Sequence, residues 1–350
     1  PYSFGRPSSG GSKAAYPCKS YGQGRINPAY FYGVFDPNDM RRDVSITMTG
    51  SNGKGVEKLI PFVPNSKAEG GGLTLNKWDE NRQANPWVAA QRKSGINGPY
   101  MRMSEVYLGY AEVCAALGDV VTGKQYLKTV RERSFPQGLA NTDAFIASFG
   151  NDLVRAIIEE RGFEYAGEGD RRWTLIRSGY LPEDIKRIKD MTKAMMDGLA
   201  TKGYYEFENG NIISAYIWTK LVDAKTIYGH RLTAQCPTDK VNDPVLYPGW
   251  RGQKDNWEEM GLNYGSSTPA TNLAIKGLFE IVSEEEAASL ESQGYTKVNW
   301  GIDLVDNRDE YDKYLFWDYD YVSAPIYLWP FTPNVMAAGG FTNGYGFKQE

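Results

Sequence analysis

Glu160, Glu164 and Glu168 recur at steps of four, so a helix running through them sets all three on one face. Like charges at that spacing repel, and repulsion raises a carboxyl pKa toward the range of an acid catalyst. Glycoside hydrolysis needs only two carboxyls a few ångströms apart. The plainer reading of the same residues is an ion network, because Arg161, Arg171, Arg172 and Arg177 lie close in sequence and would neutralise them at an elbow between two helices. Asp303, Asp306, Asp309, Asp312, Asp318 and Asp320 would offer a hard cation several oxygens, but they miss the alternation and glycine of an EF-hand loop and read as a solvated acidic face. His230 stands without a nucleophile elbow, which favours a hydrogen-bonded structural role. Cys18, Cys114 and Cys236 lack the paired spacing of a zinc site, so no metal or cofactor is expected. The glycine-rich Gly50–Gly55 stretch has Met48 where a phosphate loop needs glycine, and Gly167-Glu168-Gly169 lacks the third glycine of a dinucleotide fingerprint; both read as turns.

Aromatic side chains are the positive signal. The chain of 350 residues carries 9 Trp, 24 Tyr and 14 Phe, more ring surface than a mildly polar sequence easily hides. Thirty-nine Lys and Arg against 43 Asp and Glu leave a net charge of −4, with no basic excess to neutralise a nucleic acid. A flat ring stacks on the C–H face of a sugar while Asn, Asp and Arg groups take up its hydroxyls. Tyr30, Tyr32, Trp78 and Trp87, with Arg25, Asn81 and Asn85 near them, would suit such a surface. The competing reading is that these rings anchor long loops to the helices.

Elements able to hold such loops follow from periodicity. Nine of the 18 prolines fall in residues 1–99, which read as a loop-rich, ligand-facing segment. Residues 100–200 form a helical core. Met103, Val106, Tyr107, Tyr110, Cys114 and Leu117 give one apolar stripe, stopped by Gly118. A second helix spans 123–133, the two making a hairpin. A third spans 152–164, with Leu153, Val154, Ile157 and Ile158 inward, and a fourth starts at Pro182. Residues 201–350 loosen again. They hold an Asn-Gly hairpin at 207–212 and a short helix that opens on a Ser283/Glu286 capping box and closes at Gly294. The expected fold is mainly α: tetratricopeptide-like helical hairpins with long irregular loops and at most a small β-hairpin.

Arg102-Met103-Ser104-Glu105-Val106-Tyr107-Leu108-Gly109-Tyr110-Ala111-Glu112, then Leu117-Gly118-Asp119, resembles a helix of SusD/RagB-like proteins reading approximately R-L-A-E-V-Y-L-M-Y-A-E. The run 126–133 resembles the helix that follows it in the family, Y-L-N-x-V-R-x-R. Glu160-Arg161, Glu164, Ala166, Glu168-Gly169, Arg171, Trp173, Leu175 and Arg177 match E-R-x-x-E-x-A-x-E-G-x-R-x-x-D-L-x-R, departing at Gly167 and Thr174. Asp36-Pro37-Asn38-Asp39-Met40-Arg41, Leu328-Trp329-Pro330-Phe331 and Asn343-Gly344-Tyr345 resemble further segments of the family. The resemblance implies a non-enzymatic outer-membrane lipoprotein of a Bacteroidetes-type bacterium. It would bind oligosaccharide or polysaccharide and deliver it to a SusC-like TonB-dependent transporter. The motif residues themselves are architectural. Only the later part of the family pattern is matched, so the chain looks like a C-terminal portion. An exposed apolar face is then expected where the N-terminal helical fragment would pack. A glycoside hydrolase and a purely protein-binding helical scaffold are the two other readings.

Overall fold

The computed structural model describes residues 27–47, 49–51, 57–59, 73–75, 77, 99–135, 138–223, 271–301, 305–306, 308, 331–340 and 342. A short π-helical turn (Tyr30–Val34) is followed by α1 (Met40–Ser45), β1 (Ile46–Thr47), β2 (Thr49–Ser51), β3 (Glu57–Leu59) and β4 (Thr74–Leu75). Six helices come next: α2 (Met103–Ala116), α3 (Val120–Glu132), α4 (Thr142–Ala147), α5 (Leu153–Glu164), α6 (Asp170–Ser178) and α7 (Leu181–Lys202). The chain continues through β5 (Tyr204–Glu206), β6 (Ile212–Ser214), β7 (Tyr216–Asp223), β8 (Thr271–Lys276), α8 (Glu284–Ser292), β9 (Thr296–Asn299) and α9 (Pro333–Gly339). The fold is mainly α, as the periodicity predicts.

Helix α5 is the axis. Asp152 caps it, accepting from the Arg155 backbone N–H at 2.9 Å. Of its twelve residues only Val154 is not buried, and a helix enclosed all round needs packing partners on every side. Leu108, Ala111, Leu127, Val130 and Ile146 of α2, α3 and α4 close over Leu153, Ala156 and Ile157. Leu175 and Leu181 cover Ile158. Phe163 joins the larger core of Phe31, Phe35, Met195, Met196, Ile213, Ile217 and Ile275, which links the π-helical turn, α7 and the sheets.

The α2–α3 hairpin is as expected, but α2 is turned. Leu108, Ala111 and Cys114 face inward, whereas Met103, Val106 and Tyr110 of the predicted stripe are half exposed or more and Leu117 is 82% exposed. The helix is apolar on several faces, so its period does not choose among them. Packing selects the side with Ala111, whose small side chain lets Gly123 approach so closely that a Cβ there would lie 3.0 Å from the Ala111 carbonyl oxygen. The outcome is an exposed apolar row, continued by Val113, Val120 and Val121. Gly118 ends α2 in the left-handed conformation, φ +87°, with Asp119 N–H donating to Cys114 O at 2.8 Å.

The sheets are small and antiparallel. The Asn-Gly hairpin forms, Gly210 taking φ +83° between β5 and β6. The strand content exceeds one hairpin: β8, β7 and β9 make a three-stranded sheet with β7 central, Trp218 opposite both Lys276 and Lys297. Helix α8 forms with its capping box, Ser283 Oγ accepting from Glu286 N at 3.2 Å.

Candidate functional site

The hairpin, α7 and the π-helical turn border an opening on the surface. It is a cavity of about 750 Å³ with Val34, Met191, Ala194, Tyr205 and Phe207 as apolar wall and Arg187, Asp190, Glu208 and Asn209 as polar groups. Ser148 lines it too, and with Val34, Arg187 and Asn209 it also borders a second opening of about 290 Å³ that reaches Asp36, Asn141 and Phe149. This size and composition suit a ligand of a few rings.

Each wall is fixed by its local sequence. Asn209 Nδ2 donates to Gly33 O at 2.6 Å, and Asn211 Nδ2 donates to Gly33 O at 3.1 Å and Phe35 O at 2.8 Å, tying the hairpin to the π-helical turn. Gly33 must lack a side chain, since a Cβ there would fall 2.4 Å from the Phe207 ring. Phe207 meets Tyr205 edge to face, their centroids 4.8 Å apart. Tyr205 in turn seats against Gly198 of α7, where a Cβ would lie 2.7 Å from its ring. Phe207 is buried, Tyr205 half-buried and Glu208 exposed, so the rim is polar and the floor aromatic.

The carboxylates of α5 point elsewhere. The helix stops at Glu164 and Glu168 lies in the turn beyond, yet all three glutamates are held in one buried network. Arg41 Nη1 lies 2.7 Å from Glu160 Oε1 and 3.0 Å from Glu164 Oε2, and Arg131 Nη1 donates to Glu160 Oε2 at 3.0 Å. Arg102 Nη1 donates to Glu164 Oε1 at 2.7 Å, and Arg102 grips both oxygens of Glu168. Arg133 and Lys77 add further pairs to Glu164 and Glu168. The cations thus come from distant elements. Of those near in sequence, Arg161 binds Glu105 and Asp170, Arg171 binds Glu159 and Asp184, and Arg177 binds Glu112. Burial alone would raise the Glu164 carboxyl, but Arg41, Arg133 and Arg102 outweigh it and hold it down to about 2. Such a group stays ionised at neutral pH and has no proton to donate as an acid.

Of the ligand residues read from the sequence, Arg25, Trp78, Asn81 and Trp87 lie outside the described residues. Tyr32 is a correction. It is 5% exposed, packed edge to face on Phe279 and Trp300, because the π-helical turn drives its apolar side chains into the core. Tyr30 is half-buried: its hydroxyl is enclosed against Gly162 of α5 and its ring lies under Arg171. Burial pushes that phenol above its ordinary range. The Tyr32 ring therefore offers no open shelf. The residues missed were Tyr205, Phe207 and Glu208; the signal was present as two aromatics at alternate positions leading into a polar turn. Among the described residues no cluster of three or more His, Cys, Asp or Glu side chains is placed to hold a metal. No helix there is long and apolar enough to cross a membrane.

The SusD family model matches residues 8–330. The chain belongs to the SusD family. A SusD-like protein, P25, from Formosa agariphila is 28% identical over 160 residues, a match covering 45% of this chain and 26% of that protein. No solved structure matches. The network described above explains what the SusD-like motifs do: Arg102, Glu105 and Glu112 of the first, Arg131 and Arg133 of the second and Glu160, Arg161, Glu164 and Arg177 of the third are each other's partners. At Thr174, where the motif commonly has an acid, the hydroxyl still accepts from Arg161 Nε at 3.2 Å.

Proposed function

We propose that this chain is the part of a SusD-family surface lipoprotein that captures a poly- or oligosaccharide without breaking a bond and passes it to a SusC-like TonB-dependent transporter at the outer membrane. The observation that carries the reading is the cavity beside the Asn-Gly hairpin, lined by the Tyr205 ring and by the polar side chains of Glu208, Asn209, Asp190 and Arg187. Trp78, Trp87, Arg25 and Asn81 are proposed to extend the surface. The arginine pairing of Glu160 and Glu164 supports capture over cleavage. Sugar hydroxyls exchange water for protein at little net gain, so each site binds modestly and rings supply much of the affinity.

Tyr205→Ala is expected to weaken binding of the cognate oligosaccharide about tenfold, the loss of one ring contact, and to lower thermal stability as well, because the ring packs on Phe207 and Gly198. Titration calorimetry of both proteins against a glycan library checks this. Unchanged affinity in the variant would remove the cavity from the binding surface.

The exposed row of Met103, Val106, Tyr110, Val113, Leu117 and Val121 supports a second assignment: the N-terminal helical fragment of the whole protein lies on it. Hydrogen exchange of side-by-side samples, this chain and the longer protein, should be slower across residues 103–121 in the longer one. Equal exchange would reject the assignment.

A further inference from the structure

The outer face of the three-stranded sheet carries three lysines that form no ion pair among the described residues. Register puts Lys276 and Lys297 on either side of Trp218, and Lys220 follows two residues along β7 on the same face. Ile217, Leu273, Ile275 and Val298 take the opposite face, into the core. Aromatic rings hold the amines in place. Lys297 Nζ stands 4.6 Å from the Tyr216 centroid and 5.4 Å from that of Trp218. Lys220 and Lys276 Nζ stand 5.8 and 5.5 Å from the Tyr295 centroid. Lys220 also donates to Gln293 O at 2.7 Å. Among the described residues no carboxylate lies within 4.0 Å of the three amines, and Glu280, which feels the charge of Lys276, does so from beyond ion-pair reach.

This arrangement differs from the rest of the molecule. Elsewhere the buried cations face carboxylates that cancel them, as Arg102 does with Glu164 and Glu168. A ring quadrupole fixes an ammonium group without cancelling its charge. Three ammonium groups therefore keep their charge on this face, on a chain whose net charge is −4. The geometry points to a second glycan surface here, for the anionic substituents of a polysaccharide bearing carboxylate or sulfate groups, with Tyr216, 38% exposed, offering ring area beside the amines. A polymer with charges at intervals matches several fixed amines in a row, whereas a single small anion engages one at a time. This extends the glycan reading to a different part of the molecule and does not use the cavity beside the hairpin.

The test uses the full chain with dextran sulfate, polygalacturonate and neutral dextran as probes. Lys220→Gln/Lys276→Gln/Lys297→Gln should weaken binding of at least one anionic probe by about tenfold or more and flatten its salt dependence. The matching triple arginine variant should retain binding, which separates lost charge from lost packing. Tyr205→Ala should leave the anionic probe unaffected, so failure of the cavity and failure of this surface are read separately. Three results would each overturn the proposal: equal affinity in the triple glutamine variant, an equal loss on neutralising the scattered Lys128, Lys186 and Lys202, or binding to phosphatidylglycerol vesicles with none to either anionic polysaccharide.

Discussion

Replacing Glu160 by alanine is expected to destabilise the chain by about 3–5 kcal/mol, roughly a fifth or more of the stability of an ordinary domain. Glu160 is 0% exposed and faces Arg41 and Arg131. Arg131 is 3% exposed, and with Glu160 gone its nearest carboxylate is Asp36 at 3.8 Å, a longer contact than the one lost. Its stacking on Phe145, 3.9 Å to the centroid, holds the guanidinium in place but supplies no full negative charge. Leaving a cation buried and under-compensated is the costly half of breaking such a pair. Asp143→Ala, which breaks an exposed pair with Lys124, should cost under about 1 kcal/mol. Chemical denaturation of the three proteins checks both values. A Glu160→Ala loss no larger than that of Asp143→Ala would mean that the network does not hold the fold.

Acid should weaken the protein in a defined window. The Glu164 carboxyl titrates at about 2 in the folded chain against an ordinary 4.5. Its folded pKa is depressed, so the unfolded chain binds the proton more readily and stability falls as pH falls. The contribution is complete above about pH 4.5 and is lost progressively toward pH 2, amounting to about 3 kcal/mol. Glu164→Gln removes this dependence. Melting curves across pH 2–6 should show the wild type losing stability faster than the variant. Parallel curves would place the sensitivity in other carboxylates.

The helices were legible because their signals are local. Asp152 and Ser283 cap where a cap residue precedes an apolar run, and Gly118 and Gly210 sit where only a left-handed residue closes the turn. The face of α2 was not legible, since an apolar helix does not encode which side meets its neighbour. Nor were the partners of Glu160 and Glu164. Sequence proximity suggested Arg161 and Arg171, but pairing is decided across 29 residues to Arg131 and 123 to Arg41. Tyr32 shows the same limit for the site: a ring on a loop and a ring in a core read alike until packing separates them. The hairpin was read as a turn, and only its contact with Gly33 made it a wall.

The central claim is that a SusD-family frame held by paired charges presents a surface that binds carbohydrate and leaves it intact. The most direct test is calorimetric titration of the full chain with candidate oligosaccharides, followed by assay of reducing ends in the same samples after prolonged incubation. Saturable binding with no increase in reducing ends is the predicted result. Release of reducing ends that a single Glu or Asp substitution abolishes, or no heat with any glycan class, would contradict it.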